Sequence, residues 1–290
     1  MTDRELEDRR KERWHLDGRA VRTFEDAVQF IEDVGFAMLF PAPKEAKAPL
    51  LLPTFLGAWV GAEEKLPTWQ HAFADPRARE ATELMIRLLR ERAAFEANLF
   101  GETGFLVAAS VFPFFYGLAG DRNPRQVSKP GVHSEYSPLA RDAFEVIRKH
   151  GPISRFRLRE ELGGSVSNPA LERALGELWS RLRITRVDYN PEQGASWDAL
   201  YRWAPEQVRE GMNTPVAAAL SALISKYLHT VVAAEPAEVE EFFSYLVPRS
   251  RTREATNALL AARELDFVRV GSRTMIQLTP PRTVFTRQVG

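Results

Sequence analysis

Cysteine is absent from the 290 residues. That excludes disulfides, zinc ribbons, thiolate nucleophiles and cysteine-ligated iron–sulfur clusters, and it fits a cytoplasmic protein. No apolar run approaches the ~18 residues of a membrane-spanning helix, so no membrane partner is expected. The first twenty residues, rich in Arg, Asp and Glu, are no signal peptide. Net charge is missing too, with 39 basic residues against 39 acidic ones. The chain as a whole is therefore not a purely electrostatic nucleic-acid binder. Gly57-Ala58-Trp59-Val60-Gly61 lacks the Lys-Ser/Thr of a phosphate loop, and there is no Gly-x-Ser-x-Gly elbow. His15, His71, His133, His150 and His229 show no ligand spacing, so neither a metal nor another cofactor is expected. His150 and His229 fall near the ends of predicted helices, where an imidazolium would cap.

What is present is organised around Ser137 to Pro205. Ser137-Pro138 opens a helix whose inner face is Leu139, Ala143, Val146, Ile147 and His150. Gly151-Pro152 ends it. Ser154 caps a short second helix, with Ile153 and Leu158 placed as a hydrophobic staple. Asn168-Pro169 opens a third, with Leu171, Leu175, Leu178, Trp179 and Leu182 inside. A hairpin follows, predicted as Ile184 to Tyr189, a turn over Asn190 to Gly194, and a second strand over Leu200 to Trp203. Helix, helix, helix, hairpin is the order of a winged helix.

The same order is predicted on both sides. Upstream, a charged leader over residues 1–13 is expected to be frayed and solvated. Thr23 then caps a helix, the apolar run Phe36 to Phe40 is a strand or irregular core segment, and Asp75-Pro76 opens a longer helix. Phe95 to Phe100 and Phe105 to Val111 form a hairpin. Downstream, helices from Pro215, Pro236 and Arg251 precede a hairpin over Phe267 to Leu278 with a Gly271-Ser272 turn. The expected fold class is α+β, mostly helical, with three tandem winged-helix modules (helix-turn-helix plus β-hairpin wing). The expected domains are 1–130, 131–210 and 211–290.

Charge is unevenly spread. From Pro248 to Gly290 eight arginines face only Glu254, Glu264 and Asp266, so this end is the expected phosphate-facing surface. A winged helix places its third helix in the DNA major groove. The candidate DNA-binding residues are Arg251, Arg253, Asn257 and Arg273, assisted by Asn168, Arg173 and Arg202, with double-stranded DNA as partner. Glu172 and Glu177 lie on the exposed side of the central third helix and would repel phosphate.

Phe30-Ile31-Glu32-Asp33-Val34-Gly35-Phe36-Ala37-Met38-Leu39-Phe40-Pro41 resembles the opening of proteins related to the tandem winged-helix DNA glycosylases. Phe112-Pro113 through Gly120-Asp121-Arg122-Asn123-Pro124, and the module after it, are similar as well. The resemblance covers most of the chain and implies DNA association and repair of alkylated or crosslinked purines. The active members carry a glutamine, one residue, then a glutamine or aspartate, just after the first helix. Here Asp33-Val34-Gly35-Phe36-Ala37 stands in that place, and Gln29 has no polar partner two residues on. The resemblance therefore carries over no catalytic residue, and the catalytic group is unassigned.

Two further readings stay open. The chain could excise a modified base with other groups, for which Trp69-Gln70-His71, Glu63-Glu64 and Glu102 are candidates. It could instead be a non-catalytic protein-interaction or ligand-sensing, transcription-regulator scaffold, which the neutral charge suits.

Overall fold

The computed structural model describes residues 1–41, 51–61, 66–67, 74–100, 103–126 and 136–280. The polar leader folds. Helix α1 (Asp3–Arg13) starts with a reciprocal cap, Glu5 N donating to Thr2 Oγ1 and Thr2 N to Glu5 Oε2. It is polar nearly all round, so periodicity could not reveal it. Its anchors are specific instead. Leu6 is buried, Arg10 donates to the carbonyls of Val231 and Ala233 at 2.8 Å each, and Trp14 Nε1 donates to Thr230 O at 2.8 Å.

The first unit runs α2 (Phe24–Val34), β1 (Phe36–Met38), α3 (Phe55–Val60), α4 (Pro76–Arg90), β2 (Ala94–Phe100) and β3 (Thr103–Ala108). Its sheet order is β1-β3-β2, all antiparallel, with Phe36 opposite Val107. Thr23 and Asp75 cap α2 and α4 as the sequence predicts. The apolar run after Gly35 is a buried strand, continued by buried Leu39 and Phe40.

After α5 (Phe112–Ala119), the central unit repeats the order. It comprises α6 (Pro138–His150), β4 (Ile153–Ser154), α7 (Arg155–Glu161), α8 (Asn168–Trp179), β5 (Ile184–Asn190) and β6 (Gly194–Ala199). The sheet order is again first-third-second, β4-β6-β5. The predicted strand over Leu200–Trp203 is a helix, α9, and the strand is Gly194–Ala199. Asp198 explains the switch. Its carboxylate accepts from Ala199 N at 2.6 Å and from Arg202 Nε at 2.9 Å, so the i,i+4 pair closes a helical turn. Helix α10 (Pro205–Asn213) follows.

The last unit is α11 (Val216–Val231), α12 (Pro236–Phe243), α13 (Arg249–Ala261), β7 (Leu265–Val270) and β8 (Arg273–Leu278). Its third strand is reduced to one bridge, Ala234 opposite Ile276.

The cores are not divided evenly. The first and last units share one, where Phe242 stacks on Tyr227 (4.6 Å) and Phe36 (5.8 Å) and meets Phe100 at a tilt (4.6 Å). Helix α5 joins them, lying so close to α10 that a Cβ on Gly211 would come within 2.6 Å of Pro113 O. The central unit has a core of its own around Phe144, Leu175, Leu178 and Trp197. It is tied to the first unit at β2. Glu96 O accepts from Trp179 Nε1 (3.0 Å) and Thr185 Oγ1 (3.2 Å), and the Glu96 carboxylate pairs with Arg186 at 2.9 Å. No helix among the described residues is long and apolar enough to cross a membrane.

Candidate functional site and nucleic-acid interface

Arg251, Arg253 and Asn257 are exposed on α13, as their phase predicts. The arginines are not isolated charges. Arg253 makes two bonds to Glu240 of α12, at 2.8 and 2.7 Å, and Arg251 lies 3.5 Å from Glu254. Arg249 pairs with Glu241. Arg273 on β8 reaches Asp3 of α1 at 2.5 Å and Glu235 at 3.6 Å. In the central unit, Arg173 is exposed with no ion pair among the described residues, and Asn168 accepts a long 3.5 Å bond from Arg159. Arg202 turns back to Asp198 and to the carbonyls of Arg148 (3.0 Å) and Ile147 (3.2 Å), closing the end of α6. Helix α8 packs on α6, β5 and β2, and α13 on α11, α12 and β7, so the candidates fall into two groups.

Two exposed aromatics escaped the sequence reading. Phe267, 63% exposed, stands on the last hairpin, and Phe156, 57% exposed, on α7 between Arg155 and Arg157. The signal was available for Phe156, since it is out of phase with the inward Leu158.

The first unit brings together a set that the sequence kept apart. At the end of α2, Gln29 Nε2 donates to Asp33 Oδ1 at 2.7 Å. The partner of Gln29 is thus four residues on, one helical turn, rather than two. The other oxygen, Oδ2, lies 3.1 Å from His15 Nε2. His15 follows α1 with φ +56°, a left-handed turn that sends its ring under α2, edge-on to Phe30 at 5.4 Å. His15 and Asp33 line a cleft of about 330 Å³ together with Arg9, Arg13, Arg19 and Glu12. Arg19 is held by Asp17 and by Glu12 O. Arg9 and Arg13 form no ion pair with a carboxylate among the described residues, and Arg13 Nη1 lies 2.9 Å from His229 Nε2.

His229 is no cationic cap. Burial, with Arg13 and Lys226 beside it, pushes its pKa down to about 4, so the ring is neutral. Lys226 caps a different helix, α2, donating to Glu32 O at 2.7 Å and Asp33 O at 3.0 Å. Gly35 makes room for it. With φ +79°, a Cβ there would lie 2.3 Å from Lys226 Cε.

This constellation sits one turn before β1, whose Phe36, Ala37 and Met38 are buried and apolar. A carboxylate held by an amide and an imidazole can accept a proton from water, and neighbouring guanidinium groups can hold phosphate. A second carboxylate, Glu96, is fully enclosed between units. Burial pushes it up against the opposing pull of Arg186, and its Oε2 has no partner among the described residues. It has no opening to solvent and reads as a joint. Among the described residues no group of His, Asp and Glu could hold a metal ion. Trp69-Gln70-His71, Glu63-Glu64, Glu102 and His133 lie outside the described residues.

A family model described as "DNA glycosylase AlkZ-like" matches residues 63–284. No curated protein matches the sequence. Among solved structures, the chain is similar to Streptomyces sahachiroi DNA glycosylase AlkZ. The TM-score is 0.61 at 14% identity, over 96% of this chain and 70% of that chain. At that identity the likeness speaks for the fold.

Proposed function

The chain belongs to the AlkZ-like DNA glycosylase family, and from that premise we propose that it is a cytoplasmic DNA-repair protein whose three winged-helix modules engage double-stranded DNA. The modules correspond to 1–130, 131–210 and 211–290. The observation that carries this reading is the element order helix, strand, helix, helix, hairpin. It occurs twice with first-third-second sheets and once with the strand shortened to a bridge. A third helix beside a hairpin is the geometry that enters a groove and rests a wing on the backbone.

In this reading Arg251, Arg253, Asn257 and Arg273 contact phosphates or base edges from the last module, with Asn168 and Arg173 assisting from the central one. Arg202 contributes by holding the second hairpin to α6. The paired arginines can exchange partners, because exposed ion pairs are worth only about 0–1 kcal/mol. Asp33, oriented by Gln29 and His15, is the candidate general base for excision of a modified base. It stands in for the motif of glutamine, one residue, then glutamine or aspartate, which this chain lacks.

The test uses fluorescence anisotropy of a labelled duplex and cleavage of abasic sites in alkylated or crosslinked duplex. Arg251→Glu with Arg253→Glu is expected to weaken binding and flatten its salt dependence. Asp33→Asn is expected to abolish strand breaks while leaving binding intact. Unchanged binding in the first variant removes α13 from the interface, and unchanged excision in the second removes Asp33 from the chemistry.

The intramolecular pairing of Arg249, Arg251, Arg253 and Arg273 favours a second reading, a protein-interaction scaffold. As a regulator it would read paired half-sites as a dimer. A monomer by light scattering that still binds duplex DNA would set that reading aside.

A further inference from the structure

A second cleft, of about 490 Å³, opens where the segment after α5 meets α9 and α10. That size lies within the roughly 300–1,000 Å³ of small-ligand clefts. Its polar lining is Arg122, Asn123, Arg125, Arg209 and Asn213, beside the half-buried Tyr201 ring, and no carboxylate lines it.

The walls are built rather than loose. Arg183, 2% exposed, donates to Asn123 O at 2.7 Å and Tyr136 Oη at 3.2 Å and pairs with Asp121. Tyr116 Oη donates to Asp121 O at 2.8 Å, and Asn123 N to Asp121 Oδ1 at 2.7 Å. Residues 121–123 are thus pinned from both sides, and the Asp121 carboxylate is consumed by Arg183. On α10, Gly211 faces α5, while Arg209 and Asn213 line the cleft. Arg122 donates to Met212 O, covering a carbonyl at the end of α10 that would repel an anion. Among the described residues the Arg209 side chain has no hydrogen bond or ion pair, and Arg125 has the Tyr201 ring, at 5.9 Å. Across the described chain most arginines are paired or capping. Two without an acidic partner, beside a third and an aromatic ring, are therefore poised for something outside the chain.

We propose that this cleft binds a nucleotide unit, its phosphate held by Arg122, Arg125 and Arg209 and its base against Tyr201. Guanidinium forks match phosphate oxygens, and a ring beside them stacks a base of any sequence. The nucleotide can be free or one residue of a single strand. The site does not rest on the duplex-binding proposal, since none of its lining residues belongs to α8, α13 or their hairpins.

Calorimetric titration of the full chain with dAMP tests it. Arg125→Gln with Arg209→Gln should weaken dAMP at least about tenfold, or 1.4 kcal/mol, at an unchanged melting temperature, because neither side chain holds the fold. Tyr201→Leu should weaken dAMP but not inorganic phosphate, and deoxyadenosine should bind the unaltered chain far less well than dAMP. A short single strand that displaces dAMP identifies the strand as the source; one that does not identifies the free nucleotide. No heat with dAMP or with the strand, equal binding of deoxyadenosine, or indifference to the double substitution would overturn the proposal.

Discussion

Helix α13 and the α1 cleft carry the same residue type to opposite ends. The α13 arginines stand out in the sequence as an excess of positive charge, yet in the fold Arg249, Arg251 and Arg253 each meet a glutamate. The α1 arginines are hidden in a balanced run of Arg and Glu, yet Arg9 and Arg13 reach a cleft without a carboxylate partner, beside Asp33 and His15. A count of charge along the chain is therefore a poor map of where an anion will settle. What decides is which acidic face the fold lays alongside, and the face of α12 is acidic.

The largest effect should come from the buried charge, where a pair cannot trade partners with water. Arg183→Met strands Asp121 and releases Asn123 O and Tyr136, and is expected to cost about 3–5 kcal/mol in a denaturant melt. A cost below 1 kcal/mol would mean that the 121–123 segment is not pinned as described. Next is Gly35→Ala, which meets both a left-handed φ and the Lys226 stem. A loss of about 1–3 kcal/mol is expected, and Lys226→Ala should recover part of it by removing the clash.

The comparison sharpens with pH. His229 is held neutral in the fold beside Arg13 and Lys226, with Asp33 the one carboxylate opposing them. A folded-state pKa below the unfolded one means that the unfolded chain takes up the proton first. Stability from this group is present above about pH 6.5 and drains as pH falls toward about 4. Urea melts across that window should show the loss, and His229→Gln should flatten it. A steeper loss in the variant would put the titration elsewhere. The smallest effect belongs to α13: Arg253→Gln should change stability by less than about 1 kcal/mol, because the Arg253 side chain reaches its glutamate from solvent. A larger loss would show that the pair is structural and unsuited to exchanging Glu240 for phosphate.

Much of the fold is legible in the residues. Ser137, Ser154 and Thr23 cap where expected, and the inward faces of α4, α8 and α12 follow the helical period; that of α6 does too, except that His150, expected inside, is exposed at the helix end. The strand Phe36–Met38 was one of two expectations for its apolar run, while the two-residue β4 and the single bridge at Ala234 escaped because they are too short to alternate. Helix α1 escaped because its contacts are backbone carbonyls from the far end of the chain, which leave no periodic trace. The site was less legible for the same reason. His15 and Asp33 meet over 18 residues, Arg253 and Glu240 over 13, and Arg273 and Asp3 over 270. The amide–carboxylate pair of Gln29 and Asp33 was within reach, because an i,i+4 spacing on a helix places two side chains together.

The most direct measurement is a titration of labelled duplex DNA with the unaltered chain at several salt concentrations, read by anisotropy. The account predicts binding that weakens linearly in log–log form, with a slope reporting several neutralised phosphates. It also predicts a shallower slope for Arg251→Glu with Arg253→Glu. No binding at low salt, or binding indifferent to salt, would contradict it.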